Sequence, residues 1–284
     1  MTERYEVLLK NGMVVDPATG RQGILDVAVA GGKIAHVTPD IDPTRAEELF
    51  DVRGYHVVPG VIDLHMHASS WLGGKWAQKM MAEVGVTTAL DMSGPVDSVM
   101  NIAREHGVGV NIACIQSIRP GHTVRDTNPC RQELHTAVET ALQQGAIGIK
   151  LLGGHYPLTP DATASAIEVA NRHQAYIAFH AGTLEKGSNI DGFLQAAELA
   201  GGHAIHMAHI NSYCRGATRP YMQETEEAIA ALEQHPNIRS ESYLSPLNGT
   251  SAKCAARVPE SRVTRHCLET GGFAPTEAGL EEAI

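Results

Sequence analysis

The sequence predicts an α/β chain: a TIM-like (β/α) barrel with seven recognisable units of eight, preceded by a small N-terminal β-domain. Three observations carry this. Residues 1–58 are short apolar stretches broken by turn residues. From residue 60 onward, strand-like and helix-like segments alternate seven times. Strands such as "AIGIKL" and "AYIAFH" are almost continuous apolar runs, the mark of parallel strands covered on both faces.

In the first part, "YEVLLKNGMVVD" carries an Asn-Gly hairpin signal at Asn11 and Gly12. "ILDVAVAGGKIAHV" has Gly31-Gly32 between two strands, and "FDVRGYHVVPG" closes the segment. This predicts a β-sandwich-like domain over 1–58, incomplete by itself, and a barrel domain over 59–284. Barrel strands are expected at 61–66, 86–92, 109–116, 146–151, 176–181, 205–210 and 237–243. Helices are expected near 72–84, 96–106, 131–144, 160–173, 190–200 and 222–234. The fourth helix is the best marked: Thr159 suits the N-cap, Pro160 the first helical position, and Asp161 the positive end of the dipole. After Tyr243 no apolar strand stands out, so the chain reads as stopping short of a closed barrel. An open sheet edge is a surface that a second copy, or a complementing C-terminal polypeptide, would cover.

The 284 residues carry a formal charge of −10, which argues against nucleic-acid or anionic-membrane partners. No uncharged apolar run approaches the roughly 20 residues of a membrane span, and "MTERYEVLLK" has no signal core. Five cysteines without CxxC spacing read as reduced thiols, so the expected location is cytoplasmic.

The chemistry concentrates at predicted strand ends. In "GVIDLHMHASS", alternation sends His65 and His67 to one face and Met66 to the other. At the carboxyl end of a first barrel strand that face is the barrel mouth, where two imidazoles suit a metal. Lys150 ends an otherwise apolar strand, where a bare ammonium is costly to bury. His180 ends "YIAFH" and His209 ends "HMAHI". By alternation His206 faces away from His209 and is expected to be a packed or hydrogen-bonded residue. Arg119 and Arg215 follow strands three and six and suit a substrate carboxylate. Asn211 is a further candidate contact. Asp91, at the end of strand two, is expected to serve structure, as is His155, and nothing marks Cys214 as a nucleophile.

These residues resemble the amidohydrolase superfamily, with "VVPGVIDLHMH" the most specific match and the resemblance extending to about residue 245. The resemblance implies a dinuclear, zinc-type centre in which His65 and His67 bind the more buried metal. Carboxylated Lys150 and a hydroxide would bridge the two metals, and His180 and His209 would bind the second. Tyr156 in "LLGGHYPL" is placed like an oxyanion-donating tyrosine of hydantoinase-like members. The implied activity is hydrolysis of C–N amide bonds other than peptide bonds. "ESYLSPLNGTSAK" resembles N-acyl-D-amino-acid deacylases, which act on linear N-acyl amino acids. Lys150, Tyr156 and "HINS" resemble dihydroorotases and hydantoinases, which act on cyclic amides.

One part of the family pattern is missing. Its general base is an aspartate from the eighth strand, and no Asp follows residue 243. Glu241, on the seventh strand, precedes the expected place, and Glu260, Glu269, Glu277, Glu281 and Glu282 lie in unpatterned context. The alternative reading is therefore a truncated, catalytically inactive metal-binding fragment or pseudo-enzyme of the same superfamily.

Overall fold

A computed structural model of the chain describes residues 4–69, 74–243, 254–260, 264–265, 268–269 and 271–283. The chain packs as two compact units. One is Met1–Asp63 with Gln78–Ala89 and Val108–Asn111; the other is Leu64–Ala77, Leu90–Gly107 and Ile112–Ile284.

The first unit holds a five-stranded sheet. β1 (Tyr5–Asp16), β2 (Arg21–Ala30), β3 (Lys33–Thr38) and β4 (Ala46–Asp51) lie in the order β3-β2-β1-β4, and β5 (His56–Val57) pairs with β1. β1 is antiparallel to β2 and parallel to β4 and β5. The expected hairpin at Asn11-Gly12 is not there. β1 runs straight through it in a bulge, with the β2 register shifting between Leu9 and Gly12 and Asn11 at φ +64°. The same left-handed dihedral serves a hairpin turn or a bulge, so the dipeptide alone cannot choose between them. The partners decide: Asn11 N–H donates to Asp26 Oδ1 at 2.9 Å. Gly12 passes so near β5 that a Cβ would stand 2.6 Å from Val57 Cγ2. The hairpin expected at Gly31-Gly32 does form, with φ +59° and +68°. Tyr5, Leu8, Ala28 and Ile41 make the core of this sheet. Beside it the buried Asp26 takes Lys10 Nζ at 2.6 Å and Ile41 N–H at 2.9 Å.

The barrel strands form one seven-stranded sheet. β6 (Val61–Met66), β7 (Val86–Asp91), β8 (Asn111–Ile118), β9 (Gly148–Leu152), β10 (Tyr176–His180), β11 (Ile205–Met207) and β12 (Ile238–Ser240) stand in strict chain order. The pairings from β8 to β12 are parallel. Between the strands come α1 (Gly74–Glu83), α2 (Val96–His106), α3 (Arg131–Gln143), α4 (Pro160–Arg172), α5 (Ile190–Leu199) and α6 (Tyr221–Gln234). This is the predicted α/β fold, a TIM-like (β/α) arrangement with an N-terminal sheet. The cap of α4 forms as expected, Thr159 Oγ1 accepting from Ala162 N–H at 3.2 Å. Among the described residues no helix is long and apolar enough to cross a membrane.

Strand alternation sorts the apolar residues onto two faces. Ile149, Leu151, Ile177, Phe179, Ile205 and Met207 pack with helix residues such as Leu134, Val138, Ile167 and Phe193 in the main core. Each such fully buried side chain contributes about 1.5–3 kcal/mol. On the other face Ala178 joins Leu90, Met92 and Ile115 in a smaller interior cluster. The sheet curls enough that His65, on β6, touches Glu241, just past β12. In the tail, Cys254–Ala255 and Val258–Pro259 pair as a separate two-stranded sheet, and Glu277–Ala283 is helical. From Leu244 on, the stretch "ESYLSPLNGTSAK" lies outside the described residues.

Candidate metal centre

The strand ends carry the candidate ligands to one place. His65 is the penultimate residue of β6 and His67 follows it; Lys150 is central in β9; His180 ends β10. Ser117, Lys150, Ala178 and His206 are register partners across β8 to β11, so they form one layer on the interior face. This corrects the expectation for His206. β11 ends at Met207, not at residue 210, and His209 takes a left-handed φ of +41° before a short 3-10 turn, Ile210–Ser212. Alternation holds only while the strand lasts, so the left-handed residue breaks the parity that set His206 and His209 on opposite faces. His206 is nonetheless hydrogen-bonded and buried, its Nδ1 meeting the Tyr176 hydroxyl.

The imidazoles stand ring to ring. His65 lies 5.5 Å from His67 and 5.4 Å, stacked, from His209, while His209 lies 4.5 Å from His180, centroid to centroid. His209 Nε2 and His180 Nδ1 are 3.2 Å apart, and His180 Nε2 meets Ser188 Oγ at 2.8 Å. His67 Nδ1 meets Ser93 Oγ at 3.0 Å. Into this cluster reaches Glu241, Oε1 at 2.5 Å from His65 Nδ1 and Oε2 accepting the backbone N–H of His209. Sequence reasoning set Glu241 aside. Its one available signal was a carboxylate at the end of an expected strand in a chain whose other strand ends were already singled out.

Burial, reinforced by the charges of Lys150 and His65, pushes the His209 imidazole down to about 3. Burial, with neighbouring His209, also depresses His180 far below its ordinary value. Lys150 is 2% exposed, and among the described residues its amine makes a hydrogen-bond contact only with Met92 Sδ, at 3.8 Å. Burial lowers it to about 8, against the attraction of Glu241 and Asp91. Neutral imidazoles are the form that ligates metal. Among the described residues His209 Nδ1 is buried without a hydrogen-bond partner, and the charge of the buried Lys150 acts on the same ring. That donor set fits a divalent cation. Among the described residues, however, no three His, Cys, Asp or Glu side chains already gather donor atoms closely enough to hold one. The rings bond each other and Glu241 instead.

The remaining candidates separate clearly. Arg119 and Tyr156 meet each other: Arg119 Nη2 donates to Tyr156 Oη at 3.0 Å, and the guanidinium lies 4.6 Å from the ring centroid. Among the described residues Arg119 Nε and Asn211 Oδ1 are buried without partners. Arg215 donates to the Tyr243 hydroxyl and to Ser212 Oγ. The loop beyond it is pinned by buried Glu224, which accepts from Gly216 N–H at 2.6 Å, Thr218 N–H at 2.8 Å and Arg219 N–H at 3.1 Å. Asp91 is fully buried and accepts the backbone N–H groups of Ala68, Ser93 and Gly94, so it ties down the loops after β6 and β7. His155 is exposed, 5.5 Å from the His180 ring. Cys214 Sγ contacts the carbonyls of Ile210 and Glu224, and burial raises its thiol, unlike a nucleophile. The loops after β9 and β10 touch backbone to backbone. Gly153 N–H donates to His180 O at 2.8 Å, and a Cβ on Gly153 would stand 2.1 Å from Gly182 O.

No family model matches the chain. Among curated proteins it is similar to an allantoinase of Deinococcus radiodurans, 28% identical over 192 residues, covering 62% of this chain and 40% of that protein. A dihydroorotase of Solibacter usitatus is 41% identical over 61 residues, 22% of this chain and 14% of its own length. The chain thus spans less than half the length of these relatives. Among solved structures, the N-acyl-D-glutamate deacylase of Bordetella bronchiseptica, complexed with zinc and a phosphonate inhibitor, superposes with a TM-score of 0.65. It is 17% identical, with 86% of this chain and 59% of that chain covered. The L-hydantoinase of Arthrobacter aurescens gives a TM-score of 0.61 at 18% identity, with 84% and 58% covered.

Proposed function

We propose that the chain is a member of the amidohydrolase superfamily and contributes the metal centre of a hydrolase acting on a non-peptide C–N amide bond. The observation that carries this reading is the ring-to-ring cluster of His65, His67, His180 and His209, with a fully buried Lys150 whose charge acts on His180 and His209.

In this reading His65 and His67 would hold one divalent ion and His180 and His209 a second, with Lys150, as a carbamate, supplying an anionic oxygen donor. Carbamate formation would join the neutral Lys150 amine to carbon dioxide and release one proton, so an uncharged buried amine would become an anion suited to a divalent cation. The ions, zinc in our reading, would polarise the amide carbonyl and acidify a water. The protein's own part is positioning. The Tyr156 hydroxyl, set by Arg119, is available to donate to the oxygen that gains charge as the carbonyl is attacked. Arg119 and Arg215 each present a guanidinium suited to a carboxylate on the substrate, and the Asn211 amide is a further contact. Linear N-acyl amino acids and cyclic ureides or amides are the two substrate classes.

The alternative reading is that the chain binds metal without turnover. Metal analysis of protein purified with zinc and bicarbonate, followed by a screen of N-acyl amino acids and cyclic amides, tests both. Bound metal with hydrolysis supports the first reading, and bound metal without hydrolysis the second. Failure to take up zinc sinks both.

A further inference from the structure

Glu241 occupies a position at the cluster that neither substrate contact nor metal bridging explains. It follows β12, at one end of the sheet order, yet its Oε1 lies 2.5 Å from Nδ1 of His65 on β6, at the other end. Three further contacts fix its direction. Its Oε2 accepts the backbone N–H of His209, its own carbonyl takes Ile210 N–H at 2.9 Å, and His206 Nε2 lies 3.5 Å from Oε1. His206 is itself held from behind, Nδ1 against the Tyr176 hydroxyl. The result is a continuous interior chain: Tyr176, His206, Glu241, His65.

A neutral imidazole has one N–H and one lone pair, and whichever nitrogen faces a carboxylate carries the proton. A carboxylate on Nδ1 therefore places the lone pair of His65 on Nε2 and fixes the ring plane. From this geometry we infer that Glu241 is a positioning residue for the metal centre: it holds His65 as the Nδ1–H tautomer, which places the ring's lone pair on Nε2. Because its other oxygen takes the His209 N–H, the same carboxylate also sets the left-handed backbone turn that presents His209. One side chain thus aligns candidate ligands from the first and sixth barrel strands. The inference rests on the metal-centre reading above.

The test uses the full chain, labelled with 15N-histidine and stripped of metal, as wild type and as Glu241→Gln, Glu241→Ala and Glu241→Asp. Two-bond 1H–15N spectra report the His65 tautomer, assigned by its loss in His65→Asn. Competition with a chromophoric chelator reports zinc affinity, and Co2+ substitution reports ligand geometry. In the wild type His65 is expected as the Nδ1–H form. Glu241→Ala is expected to lose that preference and to weaken zinc binding by about 10–100-fold. Glu241→Gln, which keeps the shape and one acceptor oxygen, should fall between the two and guards against misfolding of the alanine variant. Glu241→Asp should recover part of the affinity if the carboxylate itself is what matters. Wild-type zinc affinity and tautomer in both Glu241→Ala and Glu241→Gln would overturn the inference while leaving the metal centre standing. A wild type that binds no zinc would overturn the metal-centre reading and this inference with it.

Discussion

Replacing Lys150 with methionine should make the metal-free protein more stable while removing its capacity to use metal. Lys150 is 2% exposed, and burial holds its amine near 8 rather than at the ordinary 10.5. At about 1.4 kcal/mol per pH unit, this depression means that the folded state carries a penalty on the order of 3 kcal/mol for keeping the ammonium charged. The sign follows from proton binding. Below pH 8 both states hold the proton and the penalty is complete. Between about 8 and 10.5 the unfolded chain binds more protons than the folded one, so stability rises with pH and the penalty fades. Methionine matches the length, has no charge and lies naturally against Met92. In degassed buffer with chelator at pH 7, urea unfolding of Lys150→Met should give about 2–4 kcal/mol more stability with an unchanged m-value. The gap should close towards pH 10.5. Zinc and bicarbonate should then stabilise the wild type alone, by about 3 kcal/mol at a hundredfold excess over the dissociation constant. A methionine variant no more stable than wild type at pH 7, or a gap that does not narrow with pH, would refute the reasoning.

Two further substitutions probe the supports of the site. Gly154→Ala places a Cβ 2.4 Å from His180 Nε2. The imidazole can rotate away, so the fold should survive while zinc affinity falls at least roughly tenfold; an unchanged chelator-competition curve would count against His180 as a ligand. Glu224→Gln leaves a carboxamide N–H₂ facing one of the backbone donors at Gly216, Thr218 and Arg219. It should cost about 2 kcal/mol, the scale of a hydrogen bond to a charged group. Urea unfolding should show that loss together with faster amide exchange over 216–219. Burial alone would raise the Glu224 carboxyl, but the N–H bonds outweigh it and hold it below the usual range. The difference from wild type should therefore be full above pH 5 and shrink as pH falls through that depressed value.

Much of the barrel was legible because hydrophobic runs and caps are local. α2 was expected at 96–106 and is Val96–His106; β6 was expected at 61–66 and is Val61–Met66. What escaped was decided at a distance or by a single dihedral. Asn11-Gly12 bulges because Asp26, on the neighbouring strand, takes the Asn11 N–H. The parity argument for His206 failed because His209 leaves the strand in a left-handed turn, which no periodicity reveals. Glu241 was passed over because its proximity to His65, 176 positions away in the chain, exists only once the sheet curls. Residue type and strand position found the histidines, whereas the carboxylate that contacts them needed the tertiary fold.

The close approach of Gly153 and Gly182 has a bearing on how such a scaffold diversifies. With one backbone resting on the other, the loops after β9 and β10 form a single plate, and no side chain can be inserted between them without moving Lys150 and His180 together. On the proposed reading, variation in specificity would fall to the loops after β8 and β11, which carry Arg119 and Arg215. A combinatorial library aimed at new substrates should randomise those two loops and leave 153 and 182 as glycine.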